Sequence, residues 1–123
     1  MSKIVVIDDS KLMRHLLQRV LELAGHEVDV WVDVAASELP ERIKASAPDL
    51  IITDYQMPGC NGLTVVRMAR KTKPDLPVIV LTATRDPDVV TPLKRLDVKC
   101  ILHKPLQEGP LMKALRDSLE PAP

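Results

Sequence analysis

Five polar residues whose side chains could do chemistry lie at the ends of short apolar segments: Asp8, Asp9, Asp54, Thr82 and Lys104. The apolar segments before the aspartates and the threonine have the continuous hydrophobic character of strands that are buried on both faces of a parallel sheet. Ligands of an open parallel sheet bind outside the carboxyl ends of its strands. If these strands share one sheet, three carboxylates, a hydroxyl and an ammonium group converge. That grouping suits a divalent cation and a phosphoryl group.

The adjacent carboxylates Asp8 and Asp9 have two interpretations. One is helix capping, which aspartate performs well and for which a single residue would suffice. The other is cation binding, because two neighbouring carboxylates repel each other unless a cation compensates them. Mg²⁺ prefers oxygen ligands and usually takes one or two carboxylates together with water. The pair together with Asp54 fits that preference.

The other three residues also have ordinary explanations. Asp54 could initiate the turn at Pro58-Gly59, and Thr82 and Lys104 taken singly are most simply a strand residue and a solvated lysine. In the functional interpretation, the Asp54 carboxylate attacks a phosphoryl group and holds it as an acyl phosphate. A cation and Lys104 neutralise the charge, and the Thr82 hydroxyl bonds a phosphoryl oxygen. The conjunction at four separate strand ends favours the functional interpretation.

Composition sets the class of protein. The chain has 123 residues, of which 46% are hydrophobic, and this predicts one globular domain with a single core. Lys+Arg and Asp+Glu are equal at 17 each, so electrostatics gives no reason to expect nucleic acid or a membrane surface as a partner of this domain. The amino-terminal residues show no secretory signal, and we expect a cytoplasmic protein.

Hydrophobic periodicity predicts five strands that alternate with five helices. The predicted strands cover residues 3–8, 27–32, 49–53, 78–82 and 98–102. The predicted helices run from an N-cap at Ser10 to about Ala24, over 35–46 with its regular part from near Ser37, over 62–72, over 86–96, and from Gly109 onward. Such alternation predicts an α/β fold with a parallel sheet and right-handed crossovers.

Two features of these elements need comment. Pro87 and Pro92 cannot both occupy the first position of one helix, so the fourth helix is expected to be short, late-starting or kinked. Trp31, on the second strand, is expected to be partly buried on an edge strand and distant from the acidic residues.

The sequence is similar to the receiver domain of bacterial two-component response regulators. Four motifs carry the resemblance: Asp8-Asp9, Asp54-x-x-Met57-Pro58-x-x-x-Gly62, Thr82-Ala83 and Lys104-Pro105. It covers about residues 2–119, and we expect a receiver domain at 1–120 followed by a tail or the start of a linker at 121–123. The resemblance implies a flavodoxin-like, doubly wound sheet of five parallel strands in the order 2-1-3-4-5, with helices on both faces.

The resemblance also implies a reaction and its partners. Asp54 would accept a phosphoryl group from a phosphohistidine of a sensor histidine kinase or a histidine phosphotransfer protein. The protein would then be a phosphoacceptor that assists its own phosphorylation and dephosphorylation, not an enzyme acting on a separate substrate. Mg²⁺ or Mn²⁺ would be bound by the Asp9 and Asp54 side chains and the Gln56 backbone carbonyl, with Asp8 acting through water. Thr82 and Lys104 would contact the phosphoryl group, and the Lys104-Pro105 bond would be cis.

The resemblance further implies switch and tuning positions, which here are Gln56, Ala83, Thr84 and Ile101. Phosphorylation would shift the conformation of the face formed by the fourth helix, the fifth strand and the fifth helix, and so act on a downstream effector protein or domain. The chain departs from the family pattern there. Ile101 stands where the family has an aromatic residue, and Pro92 interrupts the fourth helix. We therefore expect normal phosphorylation chemistry and an output that uses a modified fourth-helix region.

Two alternatives remain. A degenerate receiver that acts as a phosphorylation-independent interaction module is compatible with Ile101. A phosphohydrolase with an aspartyl nucleophile, similar to the haloacid dehalogenases, would need Asp-x-Asp after the first strand, whereas this chain has Asp8-Asp9-Ser10, and it would need a cap domain for which no segment is long enough.

Overall fold

Five strands and five helices alternate along the chain in the computed structural model, which describes residues 2–98 and 100–119. The strands are β1 (Lys3–Ile7), β2 (Glu27–Trp31), β3 (Leu50–Asp54), β4 (Val78–Thr82) and β5 (Cys100–His103). The helices are α1 (Lys11–Leu23), α2 (Leu39–Ser46), α3 (Gly62–Thr72), α4 (Pro87–Arg95) and α5 (Glu108–Leu119). The predicted alternation is confirmed.

The strands form one parallel sheet in the order β2-β1-β3-β4-β5, as the resemblance implies. The register aligns Ile7 of β1 with Thr53 of β3, and Asp54 of β3 with Leu81 of β4. On the far side of β4, Thr82 is aligned with His103 of β5. The strand ends that carry the polar residues therefore lie side by side along one edge of the sheet.

Alternate strand residues face opposite sides of the sheet, and each side has its own core. One core packs β-strand residues such as Val5, Ile51 and Val80 against α2, α3 and α4. The other packs Ile4, Ile52 and their neighbours against α1 and α5. Because both faces are covered, the central strands are apolar throughout, which is the pattern that the sequence shows.

The ends of α1 and α3 follow their sequence signals. The Ser10 side chain accepts a hydrogen bond from the Met13 N–H at 3.3 Å and so caps α1. Gly25, just after α1, has φ of +93°, a conformation that glycine adopts without strain. The Asn61 side chain caps α3 by accepting from the Thr64 N–H at 2.9 Å. These contacts confirm the predicted boundaries of the two helices.

Two other helices differ from expectation at their starts. The regular part of α2 begins at Leu39 and not near Ser37, because a short 3₁₀ segment occupies Ala36–Glu38 and places Pro40 in the first turn. Helix α4 is short, with nine residues, but it starts at Pro87 and not late. The Asp86 carboxylate caps it by accepting from the Asp88 N–H at 2.9 Å. Pro92 lies inside this helix without ending it.

Two strands are shifted in the same direction. Strand β3 includes Asp54 itself, one residue beyond the predicted end, and in the described residues the fifth strand is Cys100–His103 where 98–102 was predicted. The predicted tail at 121–123 lies outside the described residues. In the described part of the chain, no helix is long and apolar enough to cross a membrane.

Candidate functional site

Three carboxylates meet at the carboxyl end of the sheet. Asp8 follows β1 directly, Asp9 is next to it, and Asp54 ends β3. One carboxylate oxygen from each lies within 4.8 Å of the others. Asp8 and Asp54 are buried, with 1% and 5% of their surface exposed, while Asp9 is open to solvent. The fold therefore brings together the three acids that the sequence singled out.

Asp8 is held by its backbone and by one of its two carboxylate oxygens. Oδ1 accepts a hydrogen bond from the Ser10 N–H at 2.8 Å, and the Asp8 carbonyl accepts one from Nη1 of Arg14 at 2.9 Å. Oδ2 is buried and has no hydrogen-bond partner within the described residues. Burial raises the pKa of Asp8, the Ser10 hydrogen bond lowers it, and the nearby Asp54 charge raises it. A buried carboxylate oxygen without a partner is costly, and it is a natural ligand for a cation.

Lys104 supplies the positive charge opposite the acids. It follows β5, and its Nζ lies 3.1 Å from Oδ2 of Asp54. Its backbone N–H donates to the Thr82 carbonyl at 2.9 Å, which fixes the loop after β5 against the end of β4. The Lys104-Pro105 peptide bond is cis, as the resemblance implies. About 29% of the Lys104 side chain is exposed, so solvent reaches the pair.

Thr82 ends β4 and is 1% exposed. Its hydroxyl oxygen accepts a hydrogen bond from the Thr84 N–H at 3.1 Å, which leaves the hydroxyl proton available to donate. No hydrogen bond joins Thr82 to Asp54 directly in the parts of the chain that the structure describes. Its position beside the Asp54 strand is nevertheless the predicted one.

The remaining predicted residues lie in the loops after β3 and β4 and on β5. Gln56 is exposed in the loop between β3 and α3, and Ala83 is exposed beside the half-buried Thr84. Ile101 is half-buried on β5 and packs against the core that α4 covers. The roles of these four residues, and of the Gln56 carbonyl as a ligand, stay predictions.

The sequence interpretation did not place two residues, Arg14 and Trp31, near the acids. Arg14 contacts the Asp8 carbonyl from the first turns of α1, and its only signal was a cation six residues after the acid pair. Trp31 lines a small cleft together with Asp8, Asp9 and Cys60. The expectation that Trp31 lies distant from the acids is wrong, because the parallel register places it beside Ile7, one residue before Asp8. It is also more buried than expected, at 3% exposure.

The donor set fits a hard divalent cation. All candidate side-chain ligands are carboxylate oxygens, which Mg²⁺, Mn²⁺ and Ca²⁺ prefer over nitrogen or sulfur. The unpartnered Oδ2 of Asp8 is a second observation in the same direction. The cluster could therefore hold a metal ion.

Comparison with known proteins identifies the class. The response regulator receiver domain family matches residues 4–116. Solved structures agree in fold: chemotaxis protein CheY4 of Vibrio cholerae superposes with a TM-score of 0.85 and 28% identity, over 97% of this chain and 99% of that chain. A receiver domain from Clostridium thermocellum gives a TM-score of 0.83 and 27% identity, over 97% and 94%. The chain belongs to the receiver domain family of two-component response regulators.

Curated relatives are longer proteins. The response regulator MprA of Mycobacterium ulcerans is 40% identical over 81 residues, which are 66% of this chain and 34% of MprA. The C4-dicarboxylate transport transcriptional regulatory protein DctD of Pseudomonas aeruginosa is 29% identical over 97% of this chain and 25% of its own length. The matched region thus spans about a third or less of these relatives.

Asp8→Asn is expected to stabilise the metal-free protein by about 1–2 kcal/mol at pH 7, because it removes a buried charge that has one carboxylate oxygen without a hydrogen-bond partner. Since the folded state raises the Asp8 pKa, it holds that proton more tightly than the unfolded chain does. Stability from this residue is therefore lost as the pH rises through the folded pKa and regained as the pH falls.

Urea unfolding of both proteins in EDTA at several pH values checks this expectation. The stability difference should shrink as the pH is lowered through the raised folded pKa of Asp8, and the exposed Asp9→Asn should gain less at pH 7. A difference that does not depend on pH would contradict the assignment to Asp8 ionisation.

Proposed function

We propose that this domain is the phosphoacceptor of a two-component phosphorelay, with Asp54 as the residue that is phosphorylated. The observation that carries the proposal is the buried Asp54 carboxylate, which has an ammonium group at 3.1 Å and lies together with two further carboxylates. The Lys104 ammonium, and a cation held by the acids, would neutralise the charge of a phosphoryl group there. The phosphoryl donor is a phosphohistidine of a sensor histidine kinase or of a histidine phosphotransfer protein.

The reaction is a displacement at phosphorus. An oxygen of Asp54 attacks the phosphorus, the phosphorus–nitrogen bond of the phosphohistidine breaks, and the imidazole nitrogen leaves and takes up a proton. Asp54 then carries an acyl phosphate. Lys104 pairs with the charge on the phosphoryl oxygens, and the Thr82 hydroxyl donates a hydrogen bond to one of them.

Mg²⁺ or Mn²⁺ fits the acid cluster in this proposal. Asp9, Asp54 and the Gln56 carbonyl would hold it, and Asp8 would act through a water molecule. When bound, the cation supplies charge neutralisation to the phosphoryl oxygens and relieves the repulsion among the acids.

The domain assists its own phosphorylation and its own return to the resting state. The side chains of Gln56 and Thr84 would stand at the entrance to the site and regulate the access of the water that hydrolyses the acyl phosphate. The face formed by α4, β5 and α5 would carry the signal to an effector protein or domain. MprA, a response regulator, and DctD, a transcriptional regulatory protein, both extend far beyond the matched region, which supports an effector part in those proteins.

Incubation with acetyl phosphate and Mg²⁺ tests the proposal. We expect one phosphoryl group per chain by intact mass, an adduct that survives acid and is lost in base, and localisation to Asp54 by peptide mapping. The adduct should be absent in Asp54→Ala and without the divalent cation. A label that persists in Asp54→Ala would mean that another residue is the acceptor.

The same experiment separates the alternatives. A phosphorylation-independent interaction module, which the aliphatic Ile101 would suit, gives no adduct and no response to beryllium fluoride. A phosphohydrolase gives continuous turnover of phosphate esters in place of a stoichiometric adduct.

The single tryptophan is expected to report the cation. Trp31 lines the cleft that contains Asp8 and Asp9, and Nε1 of its indole donates to Oδ2 of Asp29 at 3.0 Å. A divalent charge held by Asp9 and Asp54 beside that cleft would change the field at the ring, so Mg²⁺ should change Trp31 fluorescence in a saturable titration. The titration should be lost in Asp9→Asn and should persist in Asp75→Asn, which changes an exposed aspartate outside the cleft. An equal response in both variants would contradict cation binding at this site.

A further inference from the structure

Three consecutive hydrogen bonds join Thr82 to the start of α4. The Thr84 N–H donates to the Thr82 hydroxyl oxygen at 3.1 Å, and the Asp86 N–H donates to the Thr84 hydroxyl oxygen at 3.1 Å. The Asp88 N–H donates to the Asp86 carboxylate at 2.9 Å. Each side chain thus fixes the backbone two residues further on, and the last of them caps α4. We call this series the β4–α4 relay.

The other end of α4 is attached to a different part of the fold. Nε of Arg70, on α3, donates to the Leu96 carbonyl at 2.7 Å, and Nη2 donates to the Asp97 carbonyl at 3.2 Å. Nη1 of the same guanidinium donates to the Leu76 carbonyl, before β4. Leu93 is fully buried in the core below. The carboxyl-terminal part of α4 is therefore fixed to α3 and to the sheet by contacts that do not involve the relay.

Pro92 divides the two parts. Proline has no N–H, so the Asp88 carbonyl, four residues earlier, lacks its helical partner. The first turn is held instead by the Val89 and Val90 N–H groups, which both donate to the Asp86 carbonyl at 3.0 Å. The helix is continuous, but its first turn has a weaker attachment to the remainder than an unbroken ladder would give.

Ile101 of β5 provides no polar connection between the acceptor site and this helix. Ile101 is aliphatic, so it can neither donate a hydrogen bond nor follow the Thr82 hydroxyl through one. The relay is the polar connection that the described residues provide between Thr82 and α4.

We propose that the β4–α4 relay, through the hydroxyl of Thr84 and the carboxylate of Asp86, couples the state of Asp54 to the first turn of α4, while the part beyond Pro92 stays fixed by Arg70. This rests on the proposed function, since it needs Asp54 to be the phosphorylated residue. Movement of the Thr82 hydroxyl toward a phosphoryl oxygen lengthens its bond to the Thr84 N–H. The shift of Thr84 then loosens its bond to the Asp86 N–H, and the cap on α4 weakens.

Amide hydrogen exchange with and without Mg²⁺ and beryllium fluoride tests the coupling. At full occupancy, the amides of Asp88–Val90 should exchange about five- to ten-fold faster, the size expected for the loss of a helix cap. The amides of Leu93–Arg95 should change less than about two-fold, because the Arg70 contacts remain.

Thr84→Val removes the hydroxyl at nearly constant shape. In this variant the first-turn amides should exchange fast already in the resting state and respond little to beryllium fluoride. Thr84→Ser should restore both the protection and the response.

Thr91→Val, on the exposed side of the same helix, makes the same chemical change outside the relay and should behave as the unmodified protein. Asp86→Ala removes the last bond of the relay and should match Thr84→Val.

The outcomes distinguish the two proposals. Failure to form an acetyl phosphate adduct on Asp54 overturns the proposed function and the coupling with it. An adduct on Asp54 with a uniform change along α4, or with an undiminished first-turn response in Thr84→Val, overturns the relay alone.

Discussion

Lys104→Ala is expected to slow phosphorylation by acetyl phosphate about 100-fold or more, the usual cost of removing one charged or hydrogen-bonding group that stabilises a transition state. Phosphoryl transfer depends on positioning and on neutralising charge more than on covalent help from the protein. The positively charged Nζ of Lys104 lies 3.1 Å from the carboxylate that would attack. Its removal takes away a positive charge that offsets the negative charge of the three acids. The rate of adduct formation by intact mass at fixed acetyl phosphate and Mg²⁺ measures the effect.

Two controls show whether the slower phosphorylation of Lys104→Ala comes from lost transition-state stabilisation. Lys44→Ala removes an exposed lysine of α2 and should leave the rate unchanged. The Mg²⁺ titration of Trp31 fluorescence should survive in Lys104→Ala, because all three carboxylates remain. A rate within about three-fold of the unmodified protein would show that Lys104 does not stabilise the transition state, whatever its distance from Asp54.

The positions of the candidate site residues could be predicted because they depend on where the strands end. All strands of a parallel sheet run in the same direction, so the residues that follow each apolar strand lie at the same carboxyl edge of the sheet. That logic placed Asp8, Asp54 and Lys104 correctly. It missed Trp31 because proximity there depends on the register between β1 and β2, which alternation within a single strand does not specify.

The effects of prolines and of side-chain hydrogen bonds to the backbone could not be predicted from the sequence either. Pro40 and Pro92 are equally helix-breaking by residue type, yet Pro40 lies in the first turn of α2 and Pro92 lies inside a continuous α4. The difference follows from tertiary packing, since buried Leu93 and the Arg70 contacts hold the turn that follows Pro92. Similarly, Thr84 and Asp86 have side chains that serve in many turns, and only the structure shows that their hydrogen bonds follow one another along the chain.

Gly62→Ala is expected to destabilise the protein by about 1–3 kcal/mol or more, and to impair phosphorylation. The reason is that the backbone of Asp54 and Tyr55 passes directly over this position. A Cβ at Gly62 would lie 2.9 Å from the Cα of Tyr55 and 3.0 Å from the Asp54 carbonyl oxygen. Both atoms belong to the backbone, so they cannot move away by a side-chain rotation. The Gly62 N–H also donates to the Tyr55 carbonyl at 2.8 Å, which ties the start of α3 to the residue after Asp54.

Gly109→Ala is the matched control, because a Cβ there meets no described atom within 4 Å and the residue lies in α5. Alanine lowers the conformational entropy of the unfolded chain, but Pro110 disfavours helical backbone for an alanine that precedes it, so the two effects oppose each other and the stability should change by less than about 0.5 kcal/mol. Urea unfolding should show a clear loss of stability in Gly62→Ala and little change in Gly109→Ala, and acetyl phosphate should label Gly109→Ala normally. If Gly62→Ala were as stable as Gly109→Ala and were labelled at the same rate, the close approach of α3 to the Asp54 loop would not constrain the acceptor site.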